Sequence, residues 1–145
     1  MIASPPYDPW LDLATRWPEV DVVLAPLPGR LLGELCYPVI ILRAGTSAAQ
    51  RRSTLAHEIV HLDRGVTDCG AWADREEQRV EAEAARRLID ITALDHALRE
   101  LGGDDDPAAL AHLLDVDRQL LRTRLRALTT AERHRLAPVD GWSVA

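Results

Sequence analysis

The hydrophobic positions of this chain repeat first with the short period of strands and then with the longer period of helices. Asp8-Pro9-Trp10-Leu11-Asp12-Leu13-Ala14 predicts a short opening helix, with Asp8 as its cap and Pro9 at the first helical position. The Val-rich run from Glu19 to Ala25 predicts a strand, which Pro26-Leu27-Pro28-Gly29 breaks. Leu31–Tyr37 and Val39–Arg43 predict two more short strands. Pro38 between them implies an edge position or a bend, and Val39–Leu42 is read as an exposed edge.

From Ala44 onward the period lengthens. Ala44-Gly45-Thr46-Ser47 is a turn with a cap, and a helix follows from about Ala48 to Arg64, ended by Gly65. Leu55, Ile59 and Leu62 give that helix one core face. Residues 65–73 form a loop containing Cys69 and Trp72. A second long helix spans about Asp74 to Asp90, with Val80, Ala84, Leu88 and Ile91 as its inward stripe. Thr92–Leu101 predicts a third. Gly102-Gly103-Asp104-Asp105-Asp106-Pro107 is the clearest linker. Beyond it lie two short helices, about 108–114 and 118–128, and a last one that Thr129-Thr130-Ala131-Glu132 opens as a capping box. The resulting fold class is α+β: a short three-stranded sheet packed on a long helix, then a helical C-terminal part. We divide the chain into a core at 1–101 and a small helical subdomain at 107–137.

Composition adds bounds. The chain has 145 residues, 47% of them hydrophobic, which suits one ordinary globular domain. No apolar run is long enough to cross a bilayer, and the first residues lack a secretory signal, so the expected location is the cytoplasm. The net charge of −6 argues against nucleic acid as a partner of the whole chain. Arg118, Arg122, Arg124, Arg126, Arg133 and Arg135 nevertheless make the C-terminal part locally basic. Two cysteines, Cys36 and Cys69, have no metal-site spacing and are expected to be reduced.

The chemistry concentrates in His57-Glu58-Ile59-Val60-His61. Residues four apart on a helix share a face, so His57 and His61 can direct both imidazoles at one zinc ion. Glu58 is then placed to act on a water beside that ion as its base. Idle His and Glu would be costly on a helix flanked by Leu55, Ala56, Ile59, Val60 and Leu62, which favours a metal site over solvated side chains. A catalytic zinc needs a third protein ligand. Glu77 leads the inward stripe of the next helix and is the preferred candidate. Glu81, one turn later, is the alternative. Glu76 and Glu83 point outward, and Cys69 and Asp63 are weaker choices.

Arg52-Ser53-Thr54-Leu55-Ala56-His57-Glu58-Ile59-Val60-His61-Leu62, followed by Glu76 to Ile89, resembles the ImmA/IrrE family of metallopeptidases. The resemblance covers about residues 10–137. It implies a small zincin-like peptidase, a zinc cofactor and a glutamate ligand from the second helix. Members occur in phages, mobile elements and bacterial genomes, and several are linked to cleavage of a helix-turn-helix repressor. The resemblance therefore implies a zinc-dependent endopeptidase acting on a protein, with such a repressor as one candidate substrate. The competing reading is a non-catalytic regulatory module that contacts DNA or a repressor through its Arg-rich end. Ala111, Leu114, Val116, Leu121 and Leu125 have a helix-turn-helix rhythm, but the turn lacks its usual Gly and is flanked by Asp115 and Asp117. We read this segment as a packing unit with solvated arginines. His112, His134 and Tyr37 are read as solvent-exposed.

Overall fold

The computed structural model describes residues 5–66, 74–103 and 106–136. Cys69 and Trp72 of the predicted loop, and Asp104-Asp105 of the predicted linker, lie outside the described residues. Three strands and seven helices follow in order: α1 Pro9–Arg16, β1 Asp21–Ala25, β2 Gly33–Cys36, β3 Val39–Arg43, α2 Ala48–Asp63, α3 Asp74–Leu88, α4 Ile91–Leu101, α5 Pro107–Leu114, α6 Arg118–Arg126 and α7 Thr130–Arg135. The class is α+β. No helix among the described residues is long and apolar enough to cross a membrane.

Local chemistry sets the helix ends. Asp8 accepts from the main-chain N–H of Trp10 and Leu11 at the start of α1. Ser47 and Gln50 form a reciprocal capping box on α2, and Thr129 and Glu132 do the same on α7. Gly65 follows α2 with φ of 79°, a conformation that favours glycine.

The sheet has the order β1-β3-β2, with β1 parallel and β2 antiparallel to β3. Val39–Leu42 is therefore an interior strand paired on both sides, which overturns its reading as an exposed edge. Pro38 sits in the two-residue turn between β2 and β3, where its missing N–H breaks no ladder bond. The continuous apolar run Val39-Ile40-Ile41-Leu42 is what an interior strand needs.

Helix α2 is the centre of the molecule. Leu55, Ile59 and Leu62 pack on Leu35, Ile40 and Leu42 of the sheet and on Leu13 of α1. Ala56 and Val60 face a second cluster formed with Val80, Ala84, Leu88, Leu94, Leu110, Val116 and Leu121. The C-terminal helices α5 and α6 thus share one apolar cluster with α2, α3 and α4. With two faces committed to cores, the remaining sector of α2 carries Ser53, His57, His61 and Glu58 at roughly 100° per residue.

Two further expectations fail. Cys36 is disulfide-bonded rather than reduced. Arg124 is not solvated: it is 2% exposed, donates to the carbonyl of Ile89, and pairs with Glu132 at 2.5 Å. That guanidinium holds the Glu132 carboxyl down to about 2. A carboxyl lowered on folding contributes stability that is present above its unfolded value and lost as pH falls through the folded one. Glu132→Gln should therefore cost about 1–2 kcal/mol at neutral pH, a figure reduced for solvent screening on the open side of the pair. The difference between wild type and variant in urea midpoints should shrink between about pH 4.5 and pH 2. A difference that stays constant over that window contradicts the pairing.

Candidate metal centre

Glu77 lies on the α3 stripe that faces α2, and its carboxylate reaches both histidines. Its two oxygens are 3.0 Å from His57 Nε2 and 2.8 Å from His61 Nε2. The imidazoles meet nearly edge-on, with centroids 4.9 Å apart. One donor atom from each of the three residues falls within 4.8 Å of the others. Each imidazole Nε2 thus stands against its own oxygen of the carboxylate, and the three residues present their donors close enough together that they could hold one small ion. The donor set fits a metal ion of the nitrogen- and oxygen-binding class.

The electrostatics follow the same arrangement. Burial lowers His57, but the Glu77 hydrogen bond and the charges of Glu58, Glu77 and Glu81 outweigh it, so its value is raised. His61 is lowered by burial and by the neighbouring charge of His57. Hydrogen bonding from His57 lowers Glu77. Glu58 belongs to α2 between the sheet face and the histidine face and is 5% exposed. Burial pushes its carboxyl up to about 7, with help from the charges of Glu77 and Glu34. Glu58 makes no hydrogen bond among the described residues, so its carboxylate is available to a guest.

The structure brings His57, His61 and Glu77 together and sets Glu58 beside them. Glu81 lies one turn beyond Glu77 and lines the adjoining cleft without joining the donor set. Glu76 pairs with Arg64, and Glu83 pairs with Arg87 at 3.2 Å. Asp63 is engaged by Arg16 at 2.7 Å and by Arg87 at 2.6 Å, which occupies it structurally. Cys69 is outside the described residues. His112, His134 and Tyr37 are exposed and do not line the cleft.

Sequence reasoning missed two contributors. One is Gly33 on β2. A methyl group there would sit 2.4 Å from Thr54 Cγ2 and 3.2 Å from Glu58 Oε1. The strand can pass this close to that face of α2 only without a side chain. A glycine inside a strand pattern was the available signal. Gly33→Ala should destabilise the fold by about 1–3 kcal/mol through overpacking. Adding Thr54→Ser, which removes the clashing methyl, should restore part of that loss in a thermal-denaturation cycle. Strictly additive losses would show that the two side chains do not meet. The other is Asp117, the cap of α6, whose main-chain N–H reaches the buried Ser53 Oγ at 3.4 Å. It lines the cleft beside the site.

The comparisons with known proteins agree with this geometry. The model of the IrrE N-terminal-like domain, peptidase family M78, matches residues 18–126. No curated protein and no solved structure matches the chain. The match spans β1 through α6 and includes all four residues of the site, so the chain belongs to the IrrE N-terminal-like family of M78 peptidases.

Proposed function

We propose that this protein is a zinc-dependent endopeptidase that hydrolyses a peptide bond within a protein substrate, with a helix-turn-helix repressor or another regulator as the candidate target. The observation that carries the reading is the Glu77 carboxylate bridging His57 and His61, with the buried Glu58 beside it making no hydrogen bond among the described residues. The nitrogen and oxygen donors of His57, His61 and Glu77 suit zinc and would leave a coordination position open. Zinc held there would supply a Lewis acid for the scissile carbonyl and make a water acidic near neutral pH. Glu58 is placed to accept a proton from an attacking water as that water's oxygen bonds to the carbonyl carbon. It then hands the proton to the departing amine nitrogen as the C–N bond breaks.

The substrate backbone is assigned to β2, replacing the interior strand β3. The main-chain N–H of Arg43 donates to the carbonyl of Leu32, and Glu34 pairs with Ile41. Antiparallel alternation then turns the main-chain groups of Gly33 and Leu35 toward the opposite edge of β2. An extended peptide can add there as a further strand, held next to Glu58 by the close approach of Gly33. A regulator as substrate would place the protein in the cytoplasm.

The competing reading, a non-catalytic binder acting through its basic end, has less support. A pure binder has no use for Glu58, and Arg124 is committed to Glu132. The test is incubation of the zinc-loaded protein with peptides blocked at both termini. The expected result is internal cleavage that a chelator abolishes and zinc restores. Intact peptides, combined with salt-sensitive retardation of DNA in a gel, would favour the binder.

A further inference from the structure

The cleft beside the metal centre is acidic in a way that neither metal binding nor proton transfer uses. It has a volume of about 240 Å³, smaller than pockets that hold whole drug-sized ligands and of a size for one long side chain. His57, Glu58 and Ser53 of α2 line it, with Glu81 of α3 and Asp117 of α6 on its walls. It therefore opens directly from the site of bond cleavage toward the N-terminal half of α2.

The two wall carboxylates have no other assignment. Glu81 makes no hydrogen bond or ion pair among the described residues, although Glu76 and Glu83 on the same helix are both paired with arginines. Asp117 uses one oxygen, Oδ1, for the Leu120 N–H that caps α6. Burial raises its carboxyl above the ordinary range, and no cation offsets that cost. Glu58, nine-tenths buried and without a hydrogen bond among the described residues, faces the same cavity. Arg30 is the only arginine among the described lining residues, and it is exposed in the turn before β2. Apolar stems are also accommodated: Leu31, Leu32, Ala84 and Leu120 belong to the lining, alongside the neutral polar Thr54, Gln119 and Thr123. A pocket with apolar sides and unpaired carboxylates suits a side chain with a methylene stem and a cationic tip.

We propose that this cleft is a specificity pocket for an arginine or lysine side chain of the substrate, next to the scissile bond, with Asp117 and Glu81 as the residues that recognise its charge. The inference rests on the peptidase reading for the word "substrate", but the pocket's preference for a cation can be read without turnover.

The test uses a degenerate peptide library and the full zinc-loaded chain. Cleaved peptides are sequenced by mass spectrometry, and peptides retained by the Glu58→Gln protein are sequenced separately. Arg and Lys should be enriched at least about 10-fold at one fixed position in both sets, in line with the discrimination a buried charge partner provides. Asp117→Asn with Glu81→Gln should reduce the enrichment to under about 2-fold, with zinc content and circular dichroism unchanged. Asn is chosen because it caps a helix as well as Asp does, so a collapse of α6 is not the cause. Cleavage without enrichment, or enrichment that survives in the double variant, overturns the pocket and leaves the peptidase reading intact. Enriched retention without any cleavage keeps the pocket and overturns the peptidase reading. Neither cleavage nor enriched retention overturns both.

Discussion

Glu58→Gln should keep the metal and lower turnover by about 10²–10⁴-fold, the range a positioned general base contributes. The amide is nearly the same size as the carboxylate, so the close approach of Gly33 to this side chain is preserved. What is lost is the ability to take a proton. Glu58 lies outside the His57, His61 and Glu77 donor set, so metal content is expected to stay within error of wild type. Elemental analysis and single-turnover assays on one preparation separate the two effects. Loss of metal in a folded Glu58→Gln protein would make Glu58 a ligand. Retained turnover would remove it from the chemistry.

The second large effect is on metal affinity. His57→Ala, His61→Ala and Glu77→Ala should each weaken zinc binding by more than about 100-fold, beyond the 10–100-fold typical of residues one step removed from an ion. Glu81→Ala should remain within about 10-fold of wild type, because its carboxylate faces the cleft and not the donor set. His61 carries a further consequence. It is 1% exposed, so its truncation opens a void in a buried site, and a modest loss of stability accompanies the loss of metal. Competition titrations with a zinc-chelating dye read the affinities. Equal losses for Glu77→Ala and Glu81→Ala would mean that the second helix does not supply a single defined ligand.

Much of this architecture was legible in the spacing of residues along the helices. Leu55, Ile59 and Leu62 define the face of α2 that meets the sheet. The four-residue spacing of His57 and His61 fixes their common direction. Glu77 heads the stripe that continues through Ala84 and Leu88, and its carboxylate stands between the two imidazoles. These are properties of one helix and its neighbour, where periodicity speaks directly. Strand order is different, because pairing is non-local. Pro38 pointed to an edge, yet it occupies a turn, and β3 is held on one side by β1 and on the other by β2. Arg124 was misread for a related reason. An arginine on a short basic helix is usually solvated, and only the fold brings Glu132 and the carbonyl of Ile89 to it. Gly33 carried a local signal, but its meaning depends on Thr54 and Glu58 from another element. The disulfide bond of Cys36 had no counterpart in the cysteine spacing.

The central claim is that His57, His61 and Glu77 hold one zinc ion next to Glu58. Anomalous diffraction at the zinc edge, from crystals grown with zinc, tests it most directly. The account predicts a single strong peak per chain, within bonding distance of His57 Nε2, His61 Nε2 and a carboxylate oxygen of Glu77, with Glu58 close by but not bonded. A peak bonded to Glu81 or Glu58 in place of Glu77, or no peak at the two histidines in a well-ordered crystal, would contradict it.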